Sequence, residues 1–350
     1  MWENYMKNSI IFGGEGFIGR HLAARLLCDG LQVTSVDLAE SDRREGAERR
    51  FVAGNVRGEL KTESLELTAN SSSQLTAHSS QLIAHSSQLP PTIFNLAAVH
   101  RTPGHPNRDY FDANLNGAEN VCNFARWTGA RTIIFTSSIA PYGASEDLKT
   151  EDTLPTPNTA YGISKLVAEH IHRTWQAEKP NERRLVIVRP GVVFGHGERG
   201  NVTRLYWALR RKRFAYPGRT DTIKASIYVK DVAALLAEMA VRPEPGAFIY
   251  NLTYEPAPTI TDICATMSKV TGVRLPKLVI PGFLLRAIAA ALGPVHGVLG
   301  EGFHPDRVRK LMISTNISGK KLQKDGYTLK YSLEDAIADW WKDCGERGLE

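Results

Sequence analysis

The sequence predicts an α/β protein built on a doubly wound parallel sheet, with a smaller, mostly helical lobe toward its C-terminus. Over the first 195 residues, short apolar runs alternate with segments of helical periodicity, as in parallel sheets with crossover helices. The first run ends in a glycine cluster, and the pattern becomes less regular after residue 195. A chain of 350 residues can hold one large domain and a smaller lobe.

The strands are expected where apolar runs are bounded by turn residues. Six are predicted at residues 8–12, 31–38, 49–56, 92–100, 131–138 and 184–195. A run at 225–232 is expected to return to the sheet before a helix at 232–240, and 248–252 is one more strand. Ligands of such sheets bind beyond the carboxyl ends of the strands.

Composition indicates an ordinary globular protein. The net charge of +6 suits an anionic ligand, but the basic residues are spread along the chain apart from Arg210–Arg213, so nucleic acid binding is not expected. That run is interpreted first as a solvated helix face and second as a phosphate contact. The four cysteines form no CxxC pair, which argues against a disulfide framework or a metal site and favours a cytoplasmic location.

Two segments could be mistaken for a membrane span and for a coiled coil. The most apolar stretch, 278–299, is interrupted by Pro281, Arg286 and Pro294, so it predicts a buried helix rather than a membrane span. Residues 72–89 repeat SSQLTAH and SSQLIAH, with one large apolar residue per unit and no coiled-coil seam. We expect a surface insertion at about 70–90 without a catalytic role.

A glycine-rich turn follows the first strand and opens a helix. Gly13, Gly16 and Gly19 would let backbone N–H groups approach a pyrophosphate at the positive end of that helix. Asp37 ends the second strand, where a carboxylate accepts hydrogen bonds from ribose hydroxyls and repels a 2′-phosphate. The pattern predicts a Rossmann-type domain that prefers NAD to NADP, although Arg43 and Arg44 could soften that preference.

A second motif, YGISK, places Tyr161 and Lys165 four residues apart on one helix face. A phenol has an unperturbed pKa of about 10, and a nearby ammonium together with a positive nicotinamide ring would lower it. Ser138, expected to close the fifth strand, would orient the reacting oxygen beside Tyr161. Thr136 and Ser137 are alternatives for that hydroxyl.

With these motifs in place, the chain resembles the extended short-chain dehydrogenase/reductases, specifically the NAD-dependent epimerase/dehydratase family that includes UDP-glucose 4-epimerases. The resemblance runs from about Ser9 to Trp340 and includes GGEGFIG, NLAA at 95–98, SSIAPYG, YGISK, RPGVVFG and YVKDVA. It implies a catalytic trio of Ser138, Tyr161 and Lys165. The cofactor-binding set that the motifs and the resemblance together indicate is Gly13, Gly16, Phe17, Ile18, Gly19, Asp37, Asn55, Val56, Ala97, Ala98, Asn114, Tyr161, Lys165, Pro190 and Val193.

Departures from the family pattern narrow the expected reaction. Ser138-Ile139 stands where sugar 4,6-dehydratases have an Asp-Glu pair, which disfavours dehydration. Lys224 replaces an arginine that often holds the substrate diphosphate, and an ammonium is not a bidentate donor. The substrate-binding candidates are therefore His100, Ser138, Arg199, Arg204, Arg219, Lys224 and Arg307.

The resemblance implies a sugar-nucleotide epimerase that uses NAD, works through a transient 4-keto sugar and forms a homodimer through segments 110–128 and 157–178. A reductase or dehydrogenase of a keto-sugar or a steroid-like alcohol is the alternative, and a non-catalytic NAD-binding regulator is a third. The NAD-binding domain is expected over 8–190 with returning segments at about 222–255, and the substrate-binding lobe over 191–221 and 256–350.

Overall fold

The computed structural model describes residues 8–38, 50–57, 90–99, 105–284 and 312–350. The predicted insertion at 70–90, Arg43, Arg44, His100 and Arg307 lie outside these described residues. The strands are β1 (Asn8–Phe12), β2 (Gln32–Asp37), β3 (Arg50–Ala53), β4 (Thr92–Asn95), β5 (Thr132–Thr136), β6 (Ser145–Lys149), β7 (Arg184–Pro190), β8 (Val192–Phe194), β9 (Tyr216–Pro217), β10 (Ser226–Tyr228), β11 (Gly246–Leu252), β12 (Val279–Ile280) and β13 (Thr315–Ile317). The helices are α1 (Phe17–Cys28), α2 (Asn107–Thr128), α3 (Ala160–Ala177), α4 (Asn201–Arg210), α5 (Val229–Val241), α6 (Ile260–Thr271), α7 (Lys320–Lys324) and α8 (Leu333–Asp343).

The main sheet has seven strands in the order β11-β7-β5-β4-β1-β2-β3 and confirms the predicted doubly wound α/β class. Neighbouring strands from β7 through β3 pair in parallel. Every residue of β4 and β7 is buried, as expected for strands covered on both faces. The strand order changes direction between the parallel neighbours β1 and β4, so the carboxyl ends of both strands lie at the sheet edge that holds the first glycine turn.

Helices α2 and α3 pack together and against the sheet. Val121 and Ala125 from α2 join Ala168 and Trp175 from α3 in one core cluster with sheet residues such as Ile133. Helix α2 ends at Gly129, whose left-handed conformation closes the helix, and Thr159 caps α3 by accepting a hydrogen bond from Gly162 N. These two caps help to fix where the helices begin and end.

The sixth predicted strand, 184–195, is wrong as a single element because it breaks at Gly191. Gly191 N donates to Leu252 O, and a Cβ atom on Gly191 would lie 2.5 Å from Ala225 O. The chain therefore leaves the main sheet here, and β8 pairs with β10 in a separate two-stranded sheet. The predicted strand at 225–232 does not return to the main sheet; β11 is its edge strand, and α5 begins already at Val229.

The described chain divides into two compact units. The first spans 1–141, 155–189 and 232–250 and contains β1 to β5, α1, α2 and α3. The second spans 142–154, 190–231 and 251–350, and includes two small parallel pairs that the sequence analysis did not predict, β6 with β13 and β9 with β12. Its helices α6 and α8 both begin with a capping box, at Thr259 and Ser332.

The prediction of a buried helix over 278–299 is wrong about burial in the part that the structure describes, and the helix there begins only at residue 282. Leu278, Phe283 and Leu284 are exposed, and 279–280 form the short strand β12. The rest of that segment, 285–299, lies outside the described residues. No helix in the described ranges is long and apolar enough to cross a bilayer.

Candidate active site

The first glycine turn is held between three strands of the first unit. Gly13 has a positive φ of 80°, its N–H donates to Val36 O over 2.9 Å, and a Cβ atom on it would lie 2.7 Å from Ala97 N. Gly16 is the N-cap of α1 and has no side-chain capping bond, and the first turn of that helix carries no acid. The helix N-terminus thus offers backbone donors to an anion, and Phe17 and Ile18 form its first residues.

Asp37 ends β2, as predicted, with its carboxylate beside the glycine turn. Its Oδ2 accepts a hydrogen bond from Glu15 N over 3.0 Å, and its Oδ1 accepts one from Leu38 N over 2.8 Å. The Ser35 hydroxyl donates to Glu15 Oε1 over 2.7 Å. Both sides of the turn are therefore tied to β2, and the binding of a ribose by Asp37 stays a prediction.

A chain of hydrogen bonds connects the segment after β4 to the helix that carries the tyrosine. Val99 N donates to Asn114 Oδ1 over 3.1 Å, and Asn114 Nδ2 donates to Ser164 Oγ over 2.9 Å. The Ser164 hydroxyl donates to Tyr161 O over 2.9 Å. Because Ala97 abuts Gly13, this chain places the start of α3 and the glycine turn at the same edge of the sheet.

Ser138 is the hydroxyl that meets the phenol. Strand β5 ends at Thr136, so Ser138 lies two residues beyond the strand rather than closing it. Its hydroxyl hydrogen-bonds the Tyr161 phenol, and its Oγ also accepts from Ala140 N over 3.1 Å. The other candidate hydroxyls have different surroundings: Ser137 donates to Glu169, and Thr136 Oγ1 is buried without a hydrogen-bond partner.

The protonation of Tyr161 differs from the sequence-based expectation. Burial raises the pKa of the phenol, and the hydrogen bond with Ser138 opposes this only partly. Lys165 does not lower this pKa as expected; its Nζ instead donates to Thr136 O over 2.9 Å. The phenol is therefore protonated at neutral pH in this structure.

Lys165 is buried beneath the tyrosine. Burial lowers the pKa of its amine to about 7, while the charge of Glu169 acts in the opposite direction. Its Nζ also lies 4.9 Å from the centroid of the Phe135 ring. An amine with a pKa of about 7 can change protonation state at physiological pH, which suits a group that tunes a neighbouring acid.

Sequence reasoning missed a buried ionic cluster one helical turn beyond Lys165. Glu169 Oε2 pairs with Arg189 Nη2 over 2.5 Å, and Glu169 Oε1 accepts from Arg189 Nε over 2.9 Å and from the Ser137 hydroxyl over 2.5 Å. All three residues are buried. The signal in the sequence was the spacing of Lys165, Glu169 and His172, which puts three polar side chains on the helix face that turns inward.

His172 completes this inward polar face in a neutral state. Its Nδ1 lies 2.7 Å from Ala168 O and its Nε2 lies 3.2 Å from Asn95 Nδ2. We therefore assign the proton to Nδ1, which donates to Ala168 O, while Nε2 accepts from Asn95 Nδ2. The ring stacks on Phe135 with centroids 4.2 Å apart. Burial, helped by the charge of Lys165, lowers the pKa of His172 to about 4.

We expect acid to destabilise the protein through His172. Because its pKa is about 4 in the folded state and about 6.5 in an unfolded chain, its contribution is complete above pH 6.5 and is lost as the pH falls toward 4. This group alone should reduce the free energy of unfolding by about 2 kcal/mol between pH 7 and pH 5. Urea titrations at both pH values measure the free energy of unfolding. Its decrease from pH 7 to pH 5 should be about 2 kcal/mol larger in wild type than in His172→Gln. Equal losses in the two proteins would contradict the assignment.

The comparisons with known proteins agree with this geometry. The family model of the NAD dependent epimerase/dehydratase family matches residues 9–252. The chain belongs to this family. It is therefore an NAD-dependent enzyme of the extended short-chain dehydrogenase/reductase type, as the sequence predicted.

Individual relatives within the family are distant. N-acetyl-alpha-D-glucosaminyl-diphospho-ditrans,octacis-undecaprenol 4-epimerase of Escherichia coli O157:H7 is 28% identical over 253 residues, which cover 70% of this chain and 75% of that protein. UDP-glucose 4-epimerase 3 of Oryza sativa subsp. japonica is 25% identical over an alignment that covers 95% of this chain and 88% of that protein. The solved structure of MoeE5 in complex with UDP-glucose and NAD has a TM-score of 0.71 at 21% identity, over 96% of this chain and 99% of that one. This last likeness shows a shared fold.

Four of the remaining predicted cofactor residues lie just after strands, namely Asn55, Val56, Ala97 and Ala98. Asn55 follows β3 and is exposed, with its Oδ1 accepting a hydrogen bond from Arg57 N over 3.0 Å. Val56 O accepts from Asn120 Nδ2 over 2.8 Å. Strands three and four are shorter than predicted, so these residues and the pair Ala97 and Ala98 stand beyond β3 and β4. In the second unit, Pro190 ends β7 and Val193 lies in β8.

The predicted substrate-binding cations have diverse surroundings within the second unit. Lys224 Nζ donates to Ile313 O over 2.8 Å, and burial lowers its pKa to about 8. Arg219 pairs with Glu146 over 2.7 Å and with Asp221 over 2.8 Å. Arg199 and Arg204 are exposed. The structure does not bring these four together into one cluster of free cations, and their binding roles stay predictions.

Replacing Gly19 by alanine should impair both folding and NAD binding of this enzyme. A Cβ atom on Gly19 would overlap Gly13 O and lie 2.7 Å from Gly14 Cα, so α1 would have to shift away from the turn. Overpacking of this kind costs about 1–3 kcal/mol. In the matched variant Gly16→Ala the new atom meets only Gly13 O, at 3.1 Å, so we expect an almost unchanged Tm but less NAD in the purified protein. An unaltered Tm for Gly19→Ala would contradict the close approach.

Proposed function

We propose that this enzyme is a sugar-nucleotide 4-epimerase that oxidises a sugar hydroxyl transiently. The observation that carries the proposal is the hydrogen bond between Ser138 and Tyr161, at the sheet edge that also holds the glycine turn. The names of the Oryza sativa relative and of the Escherichia coli relative, both 4-epimerases, favour the same reaction. When bound, NAD would accept and return a hydride at the sugar carbon.

The chain's own residues handle the proton and the orientation of the sugar. As the phenolate, Tyr161 would take the proton of the C4 hydroxyl and return it to the oxygen after the keto sugar has presented its other face. Ser138 donates to the same sugar oxygen and keeps it within reach of the phenol. Lys165 would hold the nicotinamide ribose, and its positive charge favours the phenolate once it turns from Thr136 O toward the phenol.

The residues around the glycine turn fit the cofactor that this reaction needs. The uncapped N-terminus of α1 would receive the pyrophosphate, and Asp37 would receive the adenosine ribose hydroxyls. Ala97, Ala98 and Asn114 would line the path to the nicotinamide. NAD is regenerated in each turnover, so the enzyme should keep it between cycles.

An incubation without added cofactor tests the proposal. The purified enzyme is mixed with UDP-galactose, and in parallel with UDP-N-acetylglucosamine, and the products are resolved by chromatography. Interconversion of C4 epimers with no net change in NADH absorbance supports an epimerase. Turnover that consumes NAD or NADH in stoichiometric amounts identifies instead a dehydrogenase or reductase, the alternative that the sequence left open.

A second candidate substrate shares the diphosphate and the sugar but carries a lipid. The Escherichia coli relative is named for a sugar linked by diphosphate to undecaprenol. The same assay with N-acetylglucosaminyl diphosphoundecaprenol in detergent distinguishes the two candidates. The reaction at the sugar is the same for both candidates, so only the group attached to the diphosphate distinguishes them. Epimerisation of the lipid-linked sugar but not of UDP-N-acetylglucosamine selects the second candidate.

We further propose that the enzyme is a cytoplasmic homodimer. All four cysteines are free, as in a reducing compartment. By analogy with the family, α2 and α3 would pair with the same helices of a second copy, and exposed Ile163 on α3 and Trp127 on α2 are available for such a contact. Light scattering at micromolar concentration should give twice the mass of 38.7 kDa.

A further inference from the structure

The second unit exposes a group of apolar side chains between Leu275 and Leu284. Phe283 is 70% exposed and Leu278 64% exposed, and Leu275, Val279 and Leu284 are exposed as well. These five are half of the large exposed hydrophobic residues in the described part of the chain. A soluble monomer rarely places so many in ten consecutive residues without a partner for them.

A basic segment runs directly beside this apolar segment. Tyr216 N donates to Leu278 O over 2.9 Å and Gly218 N donates to Ile280 O over 2.8 Å, so residues 210–219 and 277–283 adjoin through β9 and β12. Residues 201–220 contain six arginines and lysines and no acid, and residues 272–284 add Arg274 and Lys277, again with no acid. We call these two segments together the basic-apolar face.

Arginines on α4 surround a tryptophan at the basic end of this face. Arg210 and Arg211 lie with their guanidinium carbons 5.1 Å and 5.6 Å from the centroid of the Trp207 ring. An open hollow of about 440 Å³ is lined by Arg204, Trp207, Ala208, Arg211 and Arg213. Among the described residues, no carboxylate forms an ion pair with Arg211 or Arg213. The hollow is therefore suited to a phosphate group.

We propose that the basic-apolar face docks the enzyme on the surface of an anionic phospholipid membrane. Leu278 and Phe283 enter the boundary between headgroups and acyl chains, while Arg211, Arg213 and Lys277 contact lipid phosphates. Exposed apolar side chains beside a segment rich in cations are the combination that binds such surfaces. A second copy of the same face is disfavoured as the occupant, because it would bring like charges together. The proposal does not depend on which sugar the enzyme converts.

Co-sedimentation of the full-length enzyme with vesicles tests the docking. We expect binding to vesicles of phosphatidylglycerol and phosphatidylcholine in equal parts, at least tenfold weaker binding to pure phosphatidylcholine, and weakening with added salt. The double variant Arg211→Gln/Arg213→Gln should bind the anionic vesicles about tenfold less tightly. The double variant Leu278→Ser/Phe283→Ser should bind at least about fivefold less tightly and keep full activity on a water-soluble substrate.

Matched controls separate this face from the general positive charge of the protein. Lys179→Gln/Lys324→Gln removes the same charge from exposed sites elsewhere, and Leu154→Ser removes a leucine that is 79% exposed outside the face. Both should bind like wild type. Failure to sediment with anionic vesicles, equal effects of target and control variants, or a change of oligomeric state in Leu278→Ser/Phe283→Ser without loss of vesicle binding would each overturn the proposal.

Discussion

Tyr161→Phe is expected to lower kcat by about 10³-fold, because general acid–base catalysis contributes between about 10² and 10⁴. The phenol interacts with Ser138, and phenylalanine keeps the ring whose centroid lies 6.1 Å from that of Tyr110. We therefore expect an unchanged Tm and normal NAD content. Steady-state rates with whichever candidate sugar the cofactor-free incubation shows to be converted, together with a thermal melt, measure the effect.

Tyr110→Phe is the matched control for this variant. It removes a second phenol from the same neighbourhood, on α2, at a residue that is buried and has no assigned role in proton transfer. We expect a change in kcat of less than tenfold. If both variants lose activity equally, or if Tyr161→Phe retains it, the phenol of Tyr161 is not the proton carrier. A loss in Tyr161→Phe that is accompanied by a large drop in Tm would instead indicate a structural role.

The parts of the site that could be predicted are those fixed by local backbone chemistry. Gly13 and Gly19 are recognisable because they lie in a short turn between an apolar run and a helical pattern, where a Cβ atom on Gly19 would overlap Gly13 O. Tyr161 and Lys165 are recognisable because spacing on a helix determines which residues share a face. Such signals depend only on neighbours in the chain, so periodicity and turn composition are enough to find them.

The parts that could not be predicted depend on contacts between distant segments. Nothing local to Arg189 reveals that Glu169, 20 residues earlier, neutralises it inside the core. Hydrophobicity likewise suggested that Leu278 and Phe283 would be buried, whereas no described element covers them. The break at Gly191 follows from its contact with Ala225, which is 34 residues away and directly precedes β10, the partner strand of β8.

Glu169→Gln should lower the free energy of unfolding by about 3–5 kcal/mol, because removing one member of a buried ion pair leaves the other charge uncompensated. The glutamine amide can still accept a hydrogen bond from Ser137, but Arg189 would lose the negative charge of Glu169 beside it in the core. Glu169 also opposes the lowering of the Lys165 pKa by burial, so that pKa should fall further and move the pH dependence of kcat. Urea unfolding at pH 7 and a pH–rate profile measure the two effects.

Two further variants determine whether the lower stability of Glu169→Gln arises from the buried charge of Arg189. Glu178→Gln removes a carboxylate that is 38% exposed and pairs with Arg126 and Arg183. We expect this variant to lose less than about 1 kcal/mol of its free energy of unfolding, because exposed ion pairs contribute little. Glu169→Leu/Arg189→Met removes both charges and should recover most of the stability that Glu169→Gln loses, since apolar residues of similar volume often replace such pairs without net cost. The double variant should nevertheless keep the altered pH profile, because Lys165 still lacks its neighbouring carboxylate. If the double variant is no more stable than Glu169→Gln, the pair contributes through packing and hydrogen bonds, and the uncompensated charge is not the cause.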